Sequence, residues 1–196
     1  MAAVEHALAV RADTRAVVLV EGISDRIALE TLAIRRGRDL AAEGVAVLPI
    51  GGAQAIGRHL NLYGPRGRGL RLAGVCDSGE ESEFRRGLER AGLGATMSRA
   101  EMEALGFYVC VEDLEDELIR ALGPETVELV VEEHGDIRKF RTLQKQPEWR
   151  TQQLGAQLRR FMGSGGRRKT RYARYLVEAL GAAHVPRPLH SVLREV

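Results

Sequence analysis

The sequence predicts an α/β fold in which a mostly parallel four-stranded sheet is flanked by helices and followed by a C-terminal helical extension. Four short apolar segments have the length and composition of strands, and each is followed by a segment with helical periodicity. Alternation of this kind is typical of βαβ units, which place successive strands parallel to one another. The last third of the chain contains no comparable strand segment.

The first predicted strand, residues 17–20, contains four apolar residues and stops abruptly at Glu21 and Gly22. Three of the four are β-branched, which is typical of a strand that is buried on both faces. Ser24 or Asp25 can cap the helix that follows. Glu21 is therefore predicted to lie at the carboxyl end of a strand, where open α/β sheets bind ligands.

Three further strands are predicted in order: residues 45–50 before Gly51 and Gly52, residues 70–76 before Asp77, and residues 107–111 before Glu112 and Asp113. Helices are predicted near residues 53–62, 80–91 and 114–122. Three of the four strands thus end in a carboxylate. If the sheet is parallel, these acids emerge at the same edge.

Beyond residue 122 the pattern is helical, with segments at 126–133, 137–143, 149–161, 168–180 and 189–196. We therefore predict an α/β core of residues 1–122 and a helical extension of residues 123–196 that carries a basic segment. Residues 1–10 are alanine-rich and are expected to form a short helix or a frayed leader.

The formal net charge is only +2, so the overall charge balance points to no particular partner. Basic residues concentrate in the last third and acids in the middle, which is typical of a cation site beside a phosphate-binding surface. Cys76 and Cys110 lie in apolar segments and are expected to be buried, reduced thiols. No segment resembles a membrane span or a signal peptide, so we expect a cytoplasmic protein without a membrane partner.

The acids that are predicted to converge, Glu21, Asp25, Asp77 and Glu112, form a candidate site for Mg²⁺ or Mn²⁺. Hard divalent ions prefer carboxylate oxygens, and without a cation such a cluster would raise the pKa values of its members by mutual repulsion. The alternative is that each acid caps a helix or faces solvent.

These residues also carry a resemblance to a known family. Glu21 and Gly22 after the first strand, Gly51 and Gly52 after the second, and Asp77 after the third match the motif order of the Toprim fold. That fold is shared by topoisomerases, primases, recombination proteins and OLD-family nucleases. The chain most resembles the OLD branch, in the spacing of Glu21 and Asp25 and in the segments 114–118 and 166–173.

The resemblance implies a nuclease that hydrolyses phosphodiester bonds of DNA, or alternatively RNA, with two Mg²⁺ or Mn²⁺ ions. Glu21, Asp25 and Asp77 correspond to metal ligands and Glu112 to the acid after the fourth strand, with Glu115 as its substitute if the register is shifted. Cys110 stands where a serine is more usual. Lys169 corresponds to a lysine near the metals, and together with Glu21 it is the candidate catalytic residue.

One departure from the family pattern concerns the third strand. Toprim proteins usually carry Asp-x-Asp there, whereas this chain has Asp77, Ser78 and Gly79. Glu80 or Glu81 could replace the missing acid, although first-turn acids are also favoured by the helix dipole alone. The departure therefore supports an alternative function, a non-catalytic Toprim-fold module that binds nucleic acid or a protein partner.

The basic segment is expected to bind nucleic acid through its phosphates, without sequence specificity, and the candidate residues are Arg160, Arg167, Arg168 and Arg171. A solvated helix face is the alternative. Base stacking on aromatic residues such as Trp149 is not expected, because helical spacing places most of them in the core. No Walker A motif is present, so we expect a freestanding Toprim unit whose candidate partners include a separate ATPase.

Overall fold

Residues 10–196, the part of the chain that the computed structural model describes, form one sheet and ten α-helices. The elements are β1 (Ala16–Val20), α1 (Ile23–Arg35), β2 (Val45–Pro49), α2 (Ile56–Tyr63), β3 (Arg71–Cys76), α3 (Glu81–Arg90), α4 (Arg99–Ala104), β4 (Phe107–Val109), α5 (Leu114–Leu122), α6 (Pro124–Glu133), α7 (Ile137–Gln144), α8 (Leu154–Gly163), α9 (Gly166–Ala179) and α10 (Arg187–Arg194). The helix or leader predicted for residues 1–10 falls almost entirely outside the described residues.

The sheet has the strand order β2-β1-β3-β4, and every neighbouring pair is parallel. The predicted α/β class is confirmed, and the sheet is parallel throughout. Residues 17–20 of β1 are fully buried, as expected for a central strand with both faces covered. The chain runs from β1 outward to β2 and then crosses to β3 on the other side of β1, so the strand order reverses between β1 and β3.

Helices cover both faces of the sheet. On one face, Val18 and Val20 of β1 share a buried cluster with residues of α1, α5, α9 and α10. On the other face, Val17 and Leu19 pack with residues of α2, α3 and α4. The helices that follow β1 and β3 therefore lie on opposite faces, which opens a crevice at the carboxyl ends of these two strands.

Glycine 74 keeps the centre of the sheet compact. A Cβ atom at this position would lie 2.7 Å from the Phe107 ring and 2.8 Å from the carbonyl oxygen of Leu19. Any larger residue would push β3 away from its neighbours. The glycine thus helps to maintain the β1–β3 pairing that positions the residues beyond both strands.

Three elements differ clearly from the predictions. Helix α8 begins at Leu154 rather than at residue 149. The fourth strand ends at Val109 rather than at residue 111, because the Val111 amide donates to Glu117 Oε1 (2.8 Å) instead of to a strand. Helix α4 was not predicted, although Ser98 and Glu101 form the capping box at its start.

The C-terminal helices pack onto the sheet rather than forming a separate core. Leu176 and Val177 of α9 belong to the same buried cluster as Val18 and Val20 of β1. A shared cluster does not decide where a domain ends, so the division into a core of residues 1–122 and an extension of residues 123–196 stays a prediction. Among residues 10–196, no helix has the length and apolarity that a membrane crossing requires.

Candidate active site

The reversal of strand order brings Glu21 and Asp77 side by side. The register pairs Val20, the last residue of β1, with Val75, the second-last residue of β3. Glu21 and Asp77 are the first residues after the two strands, so they lie at the same edge of the sheet. The backbone amide of Asp77 donates a hydrogen bond to Glu21 Oε1 over 2.8 Å. Two acids that are 56 residues apart in the sequence are thus in direct contact, as the parallel arrangement predicts.

Asp25 joins this pair from the first turn of α1. Its Oδ2 accepts a hydrogen bond from the Gly22 amide (2.9 Å), which ties the side chain to the corner that leads from β1 into the helix. Burial raises the pKa of Asp25, and the positive charge of Lys169 opposes that shift. The charge of Asp25 in turn raises the pKa values of Glu21 and Asp77.

Asp77 has a strongly perturbed carboxyl group. Burial is the main cause, and the negative charges of Glu21, Asp25 and Asp113 add to it, so the pKa of Asp77 rises to about 8. Burial likewise raises the pKa of Glu21, although the Asp77 amide opposes the shift. The cluster therefore carries a repulsion that a cation would relieve.

Lys169 of α9 supplies the nearest positive charge. Its Nζ lies 3.2 Å from Glu115 Oε2 of α5. Burial would lower the pKa of Lys169, but Glu115, Asp25 and Asp77 outweigh this effect, so its pKa is raised and the group stays an ammonium. Lys169 thus stands between Glu115 and the acids at the ends of β1 and β3.

The three acids Glu21, Asp25 and Asp77 and the ammonium of Lys169 border one cavity of about 440 Å³. Its lining consists of Glu21, Gly22, Ile23, Ser24, Asp25, Gly52, Asp77, Gly166, Lys169 and Thr170. The positive φ of Gly52 (109°) fits the glycine pair after β2, because a side chain would strain the backbone there. Thr170 was not singled out from the sequence; its only signal was that it follows Lys169.

Glu112, the acid after the fourth strand, is not among the residues that line this cavity. The Glu112 side chain is 56% exposed, and its Oε2 is 3.8 Å from Arg159 Nη2. Glu115, the alternative to Glu112, is buried against Lys169, and its Oε1 is buried without a hydrogen-bond partner. The ligand role of Glu112 stays a prediction, whereas the position of Glu115 favours it as the acid on this side.

Of the two acids that could replace the missing second aspartate, Glu80 is the better placed. Its charge raises the pKa of Glu21, so it lies near the cluster. Glu81 instead pairs with Arg99 and Arg85, which together lower its pKa. Asp113, which sequence reasoning passed over in favour of Glu112, also acts on Asp77 through its charge.

The donor set suits a hard divalent cation in its chemistry, but it does not form a finished cage. Among residues 10–196, no three histidine, cysteine, aspartate or glutamate side chains are arranged to hold a metal ion as they stand. One oxygen each of Glu21 and Asp25 accepts a backbone hydrogen bond. The raised pKa values and the unpartnered oxygen of Glu115 are the features that a cation would satisfy.

The predicted nucleic-acid-binding arginines have different surroundings. Arg168 donates to the Phe161 carbonyl (3.1 Å) and to Ser164, and its guanidinium covers the Phe161 ring at 4.1 Å. Arg171 lies near Asp136 (3.6 Å) and over the Tyr175 ring. Arg167 is exposed in the first turn of α9, and Arg160 is exposed on α8.

Part of the chain that contains this site is similar to a known family. Residues 14–78 match the family model described as "Overcoming lysogenization defect protein-like, TOPRIM domain", a range that contains β1 to β3 and includes Glu21, Asp25 and Asp77. No curated protein matches the chain in sequence.

Solved structures share the fold over nearly the whole chain. The C-terminal region of the Xanthomonas campestris pv. campestris OLD protein has a TM-score of 0.71 at 23% identity, covering 93% of this chain and 92% of that one. The C-terminal region of the Burkholderia pseudomallei OLD protein has a TM-score of 0.66 at 21% identity, covering 92% and 96%. Residues 14–78 are therefore similar to the OLD-like Toprim domain, and the chain as a whole has the fold of the C-terminal region of OLD proteins.

Proposed function

We propose that this chain is a divalent-metal-dependent hydrolase of phosphodiester bonds in nucleic acid, with DNA as the first candidate substrate and RNA as the second. The observation that carries the proposal is the convergence of Glu21, Asp25 and Asp77 with Lys169 around one cavity at the reversal of strand order. Toprim domains typically bind divalent metals, which supports the same reading of these acids.

Glu21, Asp25 and Asp77 would hold the cation, together with Glu115 and Glu80 as the further acids in reach. Mg²⁺ or Mn²⁺ at such a site supplies charge stabilisation and lowers the pKa of water. In the hydrolysis, a water oxygen forms a bond to phosphorus while the ester P–O bond breaks, and the departing oxygen takes up a proton. Each acid would contribute negative charge that attracts the cation.

Lys169 would stabilise the negative charge that develops on the phosphoryl oxygens. Its ammonium is held on one side by Glu115, which fixes its position beside the cavity. The first turn of α9 lies against the same cavity through Gly166. The amides of Arg168 and Lys169 donate to the Gly165 carbonyl, which leaves the amides of Gly166 and Arg167 for a phosphate oxygen. The positive φ of Gly165 (125°) gives the turn that starts this helix.

The test is metal-dependent nicking of a supercoiled plasmid by highly purified protein. Asp77→Ala should abolish nicking in Mn²⁺, while Glu133→Gln, an exposed acid at the end of α6, should nick like the parent. Equal nicking by Asp77→Ala and the parent would reject the assignment.

A second candidate function, a Toprim-fold module that binds nucleic acid or a protein without catalysis, is favoured by Gly79. This residue stands where the family usually has a second aspartate, and the described acids form no ready metal cage. Calorimetric titration with Mn²⁺ separates the two functions. A hydrolase requires saturable binding that Asp77→Ala weakens, whereas a non-catalytic module shows no saturable binding.

A further inference from the structure

A second cavity, of about 340 Å³, lies beside the acidic site and is not explained by the metal-binding residues. It is lined by Asp113, Trp149, Ala156, Arg159, Arg160 and Gly163. Sequence reasoning placed the aromatic residues mostly in the core, and Phe161 and Tyr172 are indeed buried. Trp149, in contrast, is partly exposed and borders this cavity.

The position of Trp149 is fixed by its backbone. Gln157, a buried residue of α8, donates from Nε2 to the carbonyl oxygens of Trp149 (2.7 Å) and Gln152 (3.0 Å). Gln144 in turn donates to Gln157 Oε1 (2.7 Å). The irregular segment between α7 and α8 is thus anchored from both sides, and the indole is held at the cavity without belonging to a helix.

The two arginines of the cavity differ in their partners. Arg159 is neutralised, since its Nε lies 2.7 Å from Asp113 Oδ2 and its Nη2 is 3.8 Å from Glu112. Arg160 takes part in none of the ion pairs found among residues 10–196, and its Cζ lies over the Trp149 ring, 5.9 Å from the ring centre, so the guanidinium is next to one face of the indole. An aromatic ring beside an unpaired guanidinium is the combination that binds a nucleobase and its phosphate.

The cavity adjoins the acidic site through two segments of chain. The Ser78 amide, next to Asp77, donates to the Glu112 carbonyl oxygen over 2.9 Å, and Asp113 follows directly. The negative charge of Asp113 contributes to the raised pKa of Asp77. At the other end of the cavity, Gly163 ends α8, and the two-residue loop after it leads to Gly166 and Lys169 of α9. A nucleic-acid strand that occupies the acidic site can therefore reach Trp149 with a neighbouring nucleotide.

We propose that Trp149 and Arg160 form a subsite for an unpaired nucleotide, in which the base stacks on the indole and Arg160 contacts a phosphate. The inference rests on the proposed function, because it takes nucleic acid as the substrate. It adds that the bound strand has an unpaired base near the cleaved bond. Bases within a duplex are stacked on their neighbours, so their faces are closed to the indole.

The experiment uses Trp149 as its own reporter, because it is the only tryptophan in the sequence. In EDTA and low salt, a single-stranded oligothymidine of about 10 nucleotides should quench its fluorescence saturably. A strand of equal length made of abasic deoxyribose phosphates, and a blunt duplex, should quench weakly. Equal quenching by the abasic strand would overturn the subsite, and so would the absence of saturable quenching by the oligothymidine.

Matched variants separate stacking from folding. Trp149→Ala should weaken single-strand affinity about tenfold, measured by anisotropy of a labelled strand, while Trp149→Phe should retain most of it. Arg160→Gln should reduce the slope of log affinity against log salt by about one, and Arg138→Gln, an exposed arginine of α7, should leave the slope unchanged. Equal affinities of the Trp149→Ala and Trp149→Phe proteins would contradict stacking.

The experiments distinguish a failure of the nucleotide subsite from a failure of the proposed hydrolase function. Saturable quenching by a protein that does not nick DNA in Mn²⁺ would keep the subsite and reject the hydrolase. Nicking by a protein whose tryptophan is not quenched by single strands would keep the hydrolase and reject the subsite.

Discussion

The hydrogen bond from the Asp77 amide to Glu21 Oε1 joins the ends of β1 and β3 at the point where the strand order reverses. It holds Glu21 through one oxygen, and among residues 10–196 no lysine, arginine or histidine forms an ion pair with this carboxylate. A glutamine can accept the same hydrogen bond through its amide oxygen. The Glu21→Gln substitution can therefore remove the charge at position 21 and keep the hydrogen bond from the Asp77 amide.

We expect Glu21→Gln to fold as stably as the parent in EDTA, or more stably, because it removes one member of a repelling cluster. Its affinity for Mn²⁺ should fall at least about 100-fold, since a charged ligand is lost. Calorimetric titration measures the affinity, and thermal unfolding measures the stability. A variant that binds Mn²⁺ like the parent would show that Glu21 holds no metal.

The raised pKa of Asp77 predicts how stability depends on pH without metal. Its native pKa is about 8, against an ordinary value near 3.8. Between these values the native carboxyl retains a proton that the unfolded chain has lost, so stability falls as pH rises from about 4 to about 8 and then levels off. Asp77→Asn removes this titration, and its advantage over the parent should therefore grow across the window.

The expected gain for Asp77→Asn at pH 8 in EDTA is on the order of 2 kcal/mol, below the full electrostatic value because the carboxyl is partly exposed to water. Unfolding in urea at pH 4, 6 and 8 measures it. Saturating Mn²⁺ should reverse the order at pH 8, because it stabilises only a protein that binds it. A constant difference between the two proteins at all three pH values would contradict the raised pKa.

We expect the contributions of Lys169 and Glu115 to the free energy of unfolding to be coupled. Lys169→Met should lower stability by about 1–2 kcal/mol at pH 7, because it leaves buried Glu115 without its cation while a third of the lysine side chain was already exposed. Glu115→Gln should cost less, and the double variant should be more stable than the sum of the single effects predicts. Strict additivity of the three unfolding free energies would show that the pair does not interact.

The sequence predicted the positions of Glu21 and Asp77 because both follow directly from strand ends. In a parallel sheet, a strand end alone decides at which edge an acid lies, and no long-range information is required. Asp25 was predictable for the same reason, since it lies four residues beyond Glu21 on the helix that the strand leads into.

The choice between Glu112 and Glu115 required the structure. β4 ends two residues earlier than its apolar pattern suggests, and the turn into α5 places Glu112 in solvent and Glu115 beneath Lys169. The surroundings of Trp149 required the structure for a similar reason. The predicted helix 149–161 would have aligned it with the core, but α8 begins at Leu154, and the anchored turn before it presents the ring to a cavity.

The neighbouring arginines of α9 provide a last prediction, because they are adjacent in sequence but have different surroundings. Arg168 donates to the Phe161 carbonyl and covers the Phe161 ring, so Arg168→Ala should lower stability by about 1 kcal/mol. Arg167 is exposed in the first turn of the helix, beside the cavity residue Gly166. Arg167→Ala should therefore leave stability unchanged within about 0.5 kcal/mol and weaken DNA binding with a salt slope lower by about one. Thermal unfolding and anisotropy titrations at three salt concentrations distinguish the two roles, and a salt slope that changes only in Arg168→Ala would reverse the assignment.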